Sequence, residues 1–521
     1  MQPTRLMKGF LTVGFWTLAS RLLGFARDIL IAAWLGAGPV AEAFLVAFSL
    51  PNMFRRFFAE GAFNMAFVPM FSKRVQTGED PLGFARDAFS GLALVLVIFS
   101  TLGVVFMPAL VWAMASGFAA DERFPLAVLY GRIAFPYILL ISLAALLSGV
   151  LNGIGRFTAA AAAPLLLNVV FILGILLTVA LSDATGADLV GVIGRTLAIA
   201  VPVGGALQLA LVWIAARRAG YPLVLRRPRL TPALKRLAII AAPAALAGGV
   251  VQVNLLVGRQ VASYFDGAIG WLSYADRLYQ LPLGVVGIAI GVVLLPELSR
   301  RLAAGDVEGQ RNGFNRAAEV CLGLTVPAAV ALMVVPGPLV AALFQRGAFS
   351  ALDAANTALA VAVYGLGLPA FVLQKVLQPL YFAREDTRRP FYFALISLAL
   401  NAGIAIALAP FLGFIAAAIG TTLAGWGMVL LLWLGTRGMG QVAEPDARLR
   451  ARLPRILLAS ALMGAALLAY GWLAAPLFAP GGQKALGLLG LMVLGIVSYF
   501  GLGNLLGGFG FREFRGAMRR R

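Results

Sequence analysis

The 521-residue chain has no histidine, a single cysteine (Cys321), and charge on only 12% of its residues. Each shortage excludes something. Without imidazole there is no histidine acid, base or metal ligand, and one thiol builds neither a disulfide framework nor a Cys/His zinc site. Soluble chains carry about 25% charged and about 45–50% apolar residues. Against that balance, 61% hydrophobic residues mark an integral membrane protein. Acidic residues are scarcer than basic ones, 22 against 42, which leaves a net charge of +20. The clustered aspartates or histidine nucleophile of a membrane phosphate enzyme are therefore missing, and the chain reads as no enzyme, with no cofactor and no metal. A nucleic-acid partner is excluded too, because that reading needs a basic face on a soluble domain and no polar stretch is long enough.

What is present is a succession of apolar runs. Fourteen runs of about 20 residues, the length that crosses about 30 Å of hydrocarbon, fit between polar breaks. The breaks fall near 36–42, 73–86, 116–125, 152–157, 182–189, 217–236, 265–270, 300–316, 345–353, 384–389, 410–413, 437–455 and 475–484. Taken alternately, the breaks and ends of one set hold thirty Lys and Arg, and those of the other hold three: Arg123, Arg346 and Lys484. Positive charge stays on the cytoplasmic side, so both termini are expected there and the number of spans is even. The apolar run from Phe10 continues through Arg21 and Arg27 to Leu35, and is read as a retained first span rather than a cleaved signal.

Nine basic residues remain inside the spans, and four of them lie in SRLLGFARDILIAAWLGAGPVAEAFLVAFSLPNMFRRFFAEG, residues 20–61. Placing an arginine or aspartate at the centre of a span costs about 2.5–3.5 kcal/mol, so each such residue is a site hypothesis. On a straight helix Asp28 returns to within about 20° of Arg21, whereas Arg27 lies about 120° away. Gly24 offers a bend that would bring both guanidiniums to one cavity. The plainer alternative is an Arg–Asp pair that neutralises itself. In span two, Pro51 removes a backbone hydrogen bond, which a bilayer tolerates only where protein or water answers the freed carbonyl, so a wet cavity is expected beside Pro51, Asn52 and Arg55. Arg55 and Arg56 point about 100° apart; one faces the cavity and the other pairs with Glu60, and the sequence does not say which.

The pattern then restarts. Val-Pro69-Met-Phe-Ser72 returns as Leu-Pro296-Glu-Leu-Ser299, Tyr130-Gly131 as Tyr364-Gly365, and Leu-Asn168 as Leu-Asn401, all at nearly one offset. Such echoes predict two parallel six-span repeats: residues 1–225 (spans one to six) and 226–440 (spans seven to twelve), followed by 441–521 (spans thirteen and fourteen and a basic tail). The Pro-broken spans two and eight correspond, and such pairs point to a transport site between repeats. Arg277 in SYADRLYQLP thereby joins Arg21, Arg27 and Arg55. A cavity rich in guanidinium forks recruits an anion of diphosphate type.

SRLLGFARD at 20–28, LPNMFRRFFAEGAFNMAFVP at 50–69 and SYADRL at 273–278 resemble the MurJ/MviN family, the lipid II flippases of bacterial cell-wall synthesis, within the multidrug/oligosaccharidyl-lipid/polysaccharide exporter superfamily. The resemblance spans the chain. It implies an all-α polytopic protein whose two six-helix lobes surround a cavity, with two extra carboxy-terminal helices shaping a groove for the polyprenyl tail. It implies that Arg21, Arg27, Arg55 and Arg277 bind the diphosphate-sugar head, and it matches Glu42 to the family's acidic position early in span two. Asp28, Arg56 and Asn52 are counted with the same site, and Gly24 and Pro51 as hinges. The implied partners are lipid II and membrane lipids, in the bacterial inner membrane, for a monomer within reach of the wall-synthesis machinery. Two departures stand out. Gln280 replaces a glutamate that in some relatives follows the span-eight arginine, and Asn254, Asn401 and Thr421 stand where other members offer carboxylates for sodium. Membrane potential or protons are therefore expected to drive the cycle. Two other readings remain: a drug antiporter of the same fold, which wants net negative charge in the cavity, and a non-transporting scaffold, for which cavity charge is dispensable.

Overall fold

The structure is a computed structural model that describes residues 3–55, 62–479 and 481–508. All regular structure among the described residues is helical, and ten helical segments are long and apolar enough to cross a bilayer. This is an all-helical, multi-pass membrane protein.

Two compact units divide the chain, Met1–Gly270 and Trp271–Arg521. The first holds α1 (Pro3–Leu35), α2 (Pro39–Arg55), α3 (Ala62–Thr77), α4 (Pro81–Val105), α5 (Met107–Met114), α6 (Arg123–Ala134), α7 (Tyr137–Gly153), α8 (Thr158–Leu181), α9 (Gly186–Arg218) and α10 (Pro232–Ala262). Nearly all of α11 (Ala268–Ala303) lies in the second unit. That unit continues with α12 (Val307–Val334), α13 (Pro336–Leu343), α14 (Ala351–Phe382), α15 (Arg388–Leu412), α16 (Ile415–Gly435), α17 (Ala447–Leu473), α18 (Ala475–Phe478) and α19 (Lys484–Leu505). The ten apolar segments do not include α1, α2, α3, α10 or α11. Those are the helices that bear Arg21, Arg27, Asp28, Arg55, Arg259, Asp276 and Arg277.

Helix starts coincide with the polar breaks because capping residues sit in them. Asp80 accepts from the Gly83 N–H at 2.8 Å, Thr231 from Leu234 at 3.3 Å, Asp306 from Gly309 at 2.7 Å and Asp446 from Leu449 at 2.7 Å. Ser350 and Asp353 form a reciprocal capping box at the head of α14. Pro81 and Pro232 follow their caps at the first helical position, where a missing N–H costs nothing.

Both units hold a helix pair that hydropathy hid. In each unit a long apolar helix, α4 or α12, is followed after one residue by an eight-residue helix, α5 or α13, with proline in its first two positions. The two short helices begin at Met107 and Pro336, which are 229 residues apart. A window of about 20 residues merges each with its predecessor, so the sequence read one long span ending near 116. Asn168 in α8 and Asn401 in α15 are both buried.

The linker after α9 is held along α4. Arg226 pairs with Asp87 at 2.6 Å, and its backbone N–H donates to the Ser90 hydroxyl at 3.0 Å. Arg86 donates twice to the Pro222 carbonyl at 3.2 Å, Trp213 donates to the Leu223 carbonyl at 2.9 Å, and Leu223 is buried.

Candidate functional site

In the first unit the arginines of α1 separate. Arg21 is exposed, whereas Arg27 is 8% exposed. The Arg27 guanidinium donates Nε and Nη2 to Asp28 Oδ1 at 2.9 and 2.6 Å and Nη1 to Asn168 Oδ1 at 2.9 Å. The Asn168 amide in turn donates to the Ser20 carbonyl at 3.1 Å. The Arg27 guanidinium also lies 5.4 Å from the ring centre of Phe171, which meets Phe44 and Phe48 of α2 edge to face. One turn of α8, Asn168 to Phe171, thus sets the orientation of Arg27, and α2 packs behind it. The helical wheel put Asp28 on the face of Arg21; the side chains instead join neighbours Arg27 and Asp28, because a guanidinium stem is long enough to turn back along its own helix. α1 runs helical through Gly24, where a Cβ would lie 3.6 Å from the Asn168 amide.

In α2 the helix continues through buried Pro51 to Arg55, which is half-buried. Asn52 donates its amide to the Phe48 carbonyl at 2.8 Å, and Ser49 its hydroxyl to the Leu45 carbonyl at 2.6 Å, so side chains answer backbone acceptors around the proline. Arg56 and Glu60 lie outside the described residues.

Glu42 sits in a different constellation. It is 1% exposed and accepts from Arg123 Nη1 at 2.9 Å and from the Ile269 backbone N–H at 2.9 Å. Arg123 also pairs with Asp121 at 2.5 Å and Asp266 at 2.9 Å, and its guanidinium lies 4.5 Å from the Phe118 ring centre. Beside this cluster Ser116 N–H donates to Gln260 Oε1 at 2.8 Å, and Gly117 N–H donates to the Ser263 hydroxyl at 3.0 Å. A Cβ on Gly117 would fall 2.5 Å from the Ser263 carbonyl carbon, so only glycine fits this backbone approach. The segment between α10 and α11 is fastened to α2 and to residues 116–123 by charge and by main chain. The hydrogen-bonded Arg123 guanidinium holds the Asp121 carboxyl below its usual range, although partial burial opposes it. Arg123 had counted only as a topology signal; its place among three carboxylates required the fold.

In the second unit, Arg277 lies half-buried on α11, next to Asp276, which accepts from the Gln280 amide one turn on. Tyr279 packs between Tyr364 and Phe371 of α14 with ring centres 5.0 and 5.4 Å away. Of the residues facing the sodium question, the Asn254 side chain lies outside the described residues, Asn401 is buried, and Thr421 donates to the Ala417 carbonyl at 3.0 Å.

A family model described as "Lipid II flippase MurJ" matches residues 31–485. The chain belongs to the MurJ family. Among its relatives, a protein of Rhizobium meliloti (strain 1021) named "Probable lipid II flippase MurJ" is 46% identical over 522 residues, covering 99% of this chain and 96% of that protein. The "Lipid II flippase MurJ" of Burkholderia cenocepacia is 37% identical over 443 residues, covering 84% of each. A solved MurJ structure in an inward closed conformation superposes with a TM-score of 0.77 at 24% identity, covering 95% of this chain and 98% of that one. An inward-facing multidrug MATE transporter superposes at 0.66 with 16% identity, over 82% and 96%. The fold is therefore the one MurJ shares with MATE transporters. A member of the MurJ family is a transporter rather than an enzyme, in keeping with the missing acid clusters.

Proposed function

We propose that this protein moves lipid II, the polyprenyl diphosphate-linked peptidoglycan precursor, from the cytoplasmic to the periplasmic leaflet of the bacterial inner membrane by alternating access. The observation that carries this reading is 46% identity, along nearly the whole chain, to a relative named "Probable lipid II flippase MurJ". The chain crosses the membrane fourteen times as a monomer with both termini cytoplasmic. Lobes 1–225 and 226–440 are related by a twofold axis along the membrane normal, and 441–521 is an appendage.

Arg21, Arg27, Arg55 and Arg277 receive the diphosphate head, joined by Arg56 and Asn52. Asp28 is a built-in competitor: it occupies the Nε–Nη2 edge of Arg27 that a phosphate would take, while Asn168 keeps the fork oriented. A diphosphate brings more charge to that edge than a carboxylate, and the return of Asp28 helps eject it. Glu42 and Arg123 fasten the α10–α11 segment at the face assigned to the periplasm, and the outward-open state releases that fastening. Gly24 and Pro51 accommodate the rocking, and membrane potential or protons drive it.

The test replaces Arg21, Arg27, Arg55 and Arg277 singly by Ala and by Lys and expresses each variant in cells depleted of their own flippase. Loss of growth is expected for the Ala variants, with Lys a poor substitute because it lacks the bidentate fork. Normal growth from all eight at normal membrane abundance would sink the cationic site.

A further inference from the structure

Of the three basic residues on the face assigned to the periplasm, Arg123 is fully engaged by carboxylates. The other two basic residues of that face, Arg346 and Lys484, come together. They line one recess of about 610 Å³ with Ala342, Gln345, Gln483 and Leu486. Neither forms an ion pair among the described residues. Arg346 donates to the Ala342 carbonyl at 2.6 Å, and Lys484 donates to the Gln345 carbonyl and side-chain oxygen, each at 3.2 Å. Neutral acceptors hold both cations in place without cancelling their charge. Lys484 is also the first residue of α19, whose cap residue Gln483 makes no side-chain bond to the helix, so the positive end of a 22-residue helix opens on the same recess.

The recess has an apolar continuation. α13 supplies Ala342 to the recess and, one turn earlier, Leu339 to a groove of about 290 Å³; α19 supplies Leu486 to the recess and Leu488 to that groove. The groove then runs between α12, α17 and α19 past Met463, Leu491 and Tyr499. A headgroup-sized cationic recess at the membrane face, followed along the same two helices by an apolar trough, has the polarity of an anionic amphiphile.

We propose that Arg346 and Lys484 form a binding site for the phosphate of a lipid of net negative charge in the outer leaflet, with a hydrocarbon chain lying in the α12–α17–α19 groove. The site goes beyond the transport reading, since it uses none of the arginines assigned to the transported head group and holds whether or not the chain flips lipid II. Two phosphate-headed sources fit, a phospholipid such as phosphatidylglycerol and a polyprenyl phosphate.

The test uses the full chain and native mass spectrometry, which counts bound lipids. The protein is titrated separately with phosphatidylglycerol, undecaprenyl phosphate and phosphatidylcholine, alongside the double variants R346Q/K484Q and R346K/K484R. The wild-type protein is expected to bind one more phosphatidylglycerol or polyprenyl phosphate than R346Q/K484Q, with that last site weakened about tenfold or more by loss of both charges. R346K/K484R keeps the charge and retains the site, which separates lost recognition from misfolding. Preference between the two anionic lipids identifies the source. Equal counts in the wild-type protein and R346Q/K484Q, or phosphatidylcholine bound as well as phosphatidylglycerol, would overturn the proposal.

Discussion

Replacing Glu42 tests the fastening of the α10–α11 segment most directly. Its carboxylate serves two buried donors on opposite oxygens, Arg123 Nη1 and the Ile269 N–H, both at 2.9 Å, while the residue is 1% exposed. Alanine leaves the Ile269 N–H without an acceptor, which costs about 1–3 kcal/mol. It also takes one partner from Arg123. Removing a partner from a buried ion pair costs about 3–5 kcal/mol when nothing else compensates. Here Asp121 and Asp266 still flank the guanidinium, so the total comes to about 3 kcal/mol. Glutamine is nearly isosteric but offers one acceptor oxygen, so its NH2 group must face one of the two donors; about 2 kcal/mol is expected. At about 2–4 °C per kcal/mol for a unit of this size, thermal unfolding of purified protein should fall by about 6–12 °C for E42A and about 4–8 °C for E42Q. A double-mutant cycle with R123A isolates the pair, with coupling above about 1 kcal/mol expected. An E42Q midpoint within about 1 °C of wild type, or additivity within about 0.5 kcal/mol in the cycle, would refute the argument.

Three further outcomes follow from the geometry. N168A removes the Arg27 Nη1 partner and the donor to Ser20, and should lower stability by about 1–2 kcal/mol in denaturation while impairing complementation less than R27A. E319Q strips charge from a carboxylate shared by Arg316, Arg448 and Arg452 where α12 meets α17, and should cost about 2–3 kcal/mol, measured as a lower unfolding midpoint. The third concerns pH. At Asp446 burial raises the carboxyl, but the Leu449 N–H and the Arg316 guanidinium outweigh it, so Asp446, like Asp121, titrates below its usual value. A depressed carboxylate contributes stability that is complete above the unfolded value and is lost as pH falls through the folded one. These two groups should therefore leave the unfolding midpoint flat from about pH 8 to pH 5 and lower it below about pH 4. A midpoint that rises on acidification in that lower range would contradict the sign.

The sequence revealed the all-helical, multi-pass class because membrane solvent punishes exceptions. Apolar length between polar breaks marks the helices without tertiary knowledge. The charged candidates were legible in residue type, but their pairing was not. Arg27 stood out as an expensive charge, yet its partner Asn168 lies 141 positions away and surfaced only as part of an internal echo. Arg123 was misweighted for a different reason. A cation near a loop obeys or breaks the topology rule regardless of its neighbours, so three convergent carboxylates left no trace in the count. The short helices α5 and α13 were hidden by the width of a membrane-length window.

The linker after α9, residues 219–231, carries three basic residues and looks like a loose cord, but its first half is pegged to α4 through Pro222 and Arg226. Only residues 227–231 separate the last peg from the start of α10. Six extended steps, from Arg226 to Pro232, reach at most about 22 Å. That length is a leash: however α10 moves through a transport cycle, its first residue stays within that radius of α4 unless the bonds of Arg226 to Asp87 and Ser90 let go.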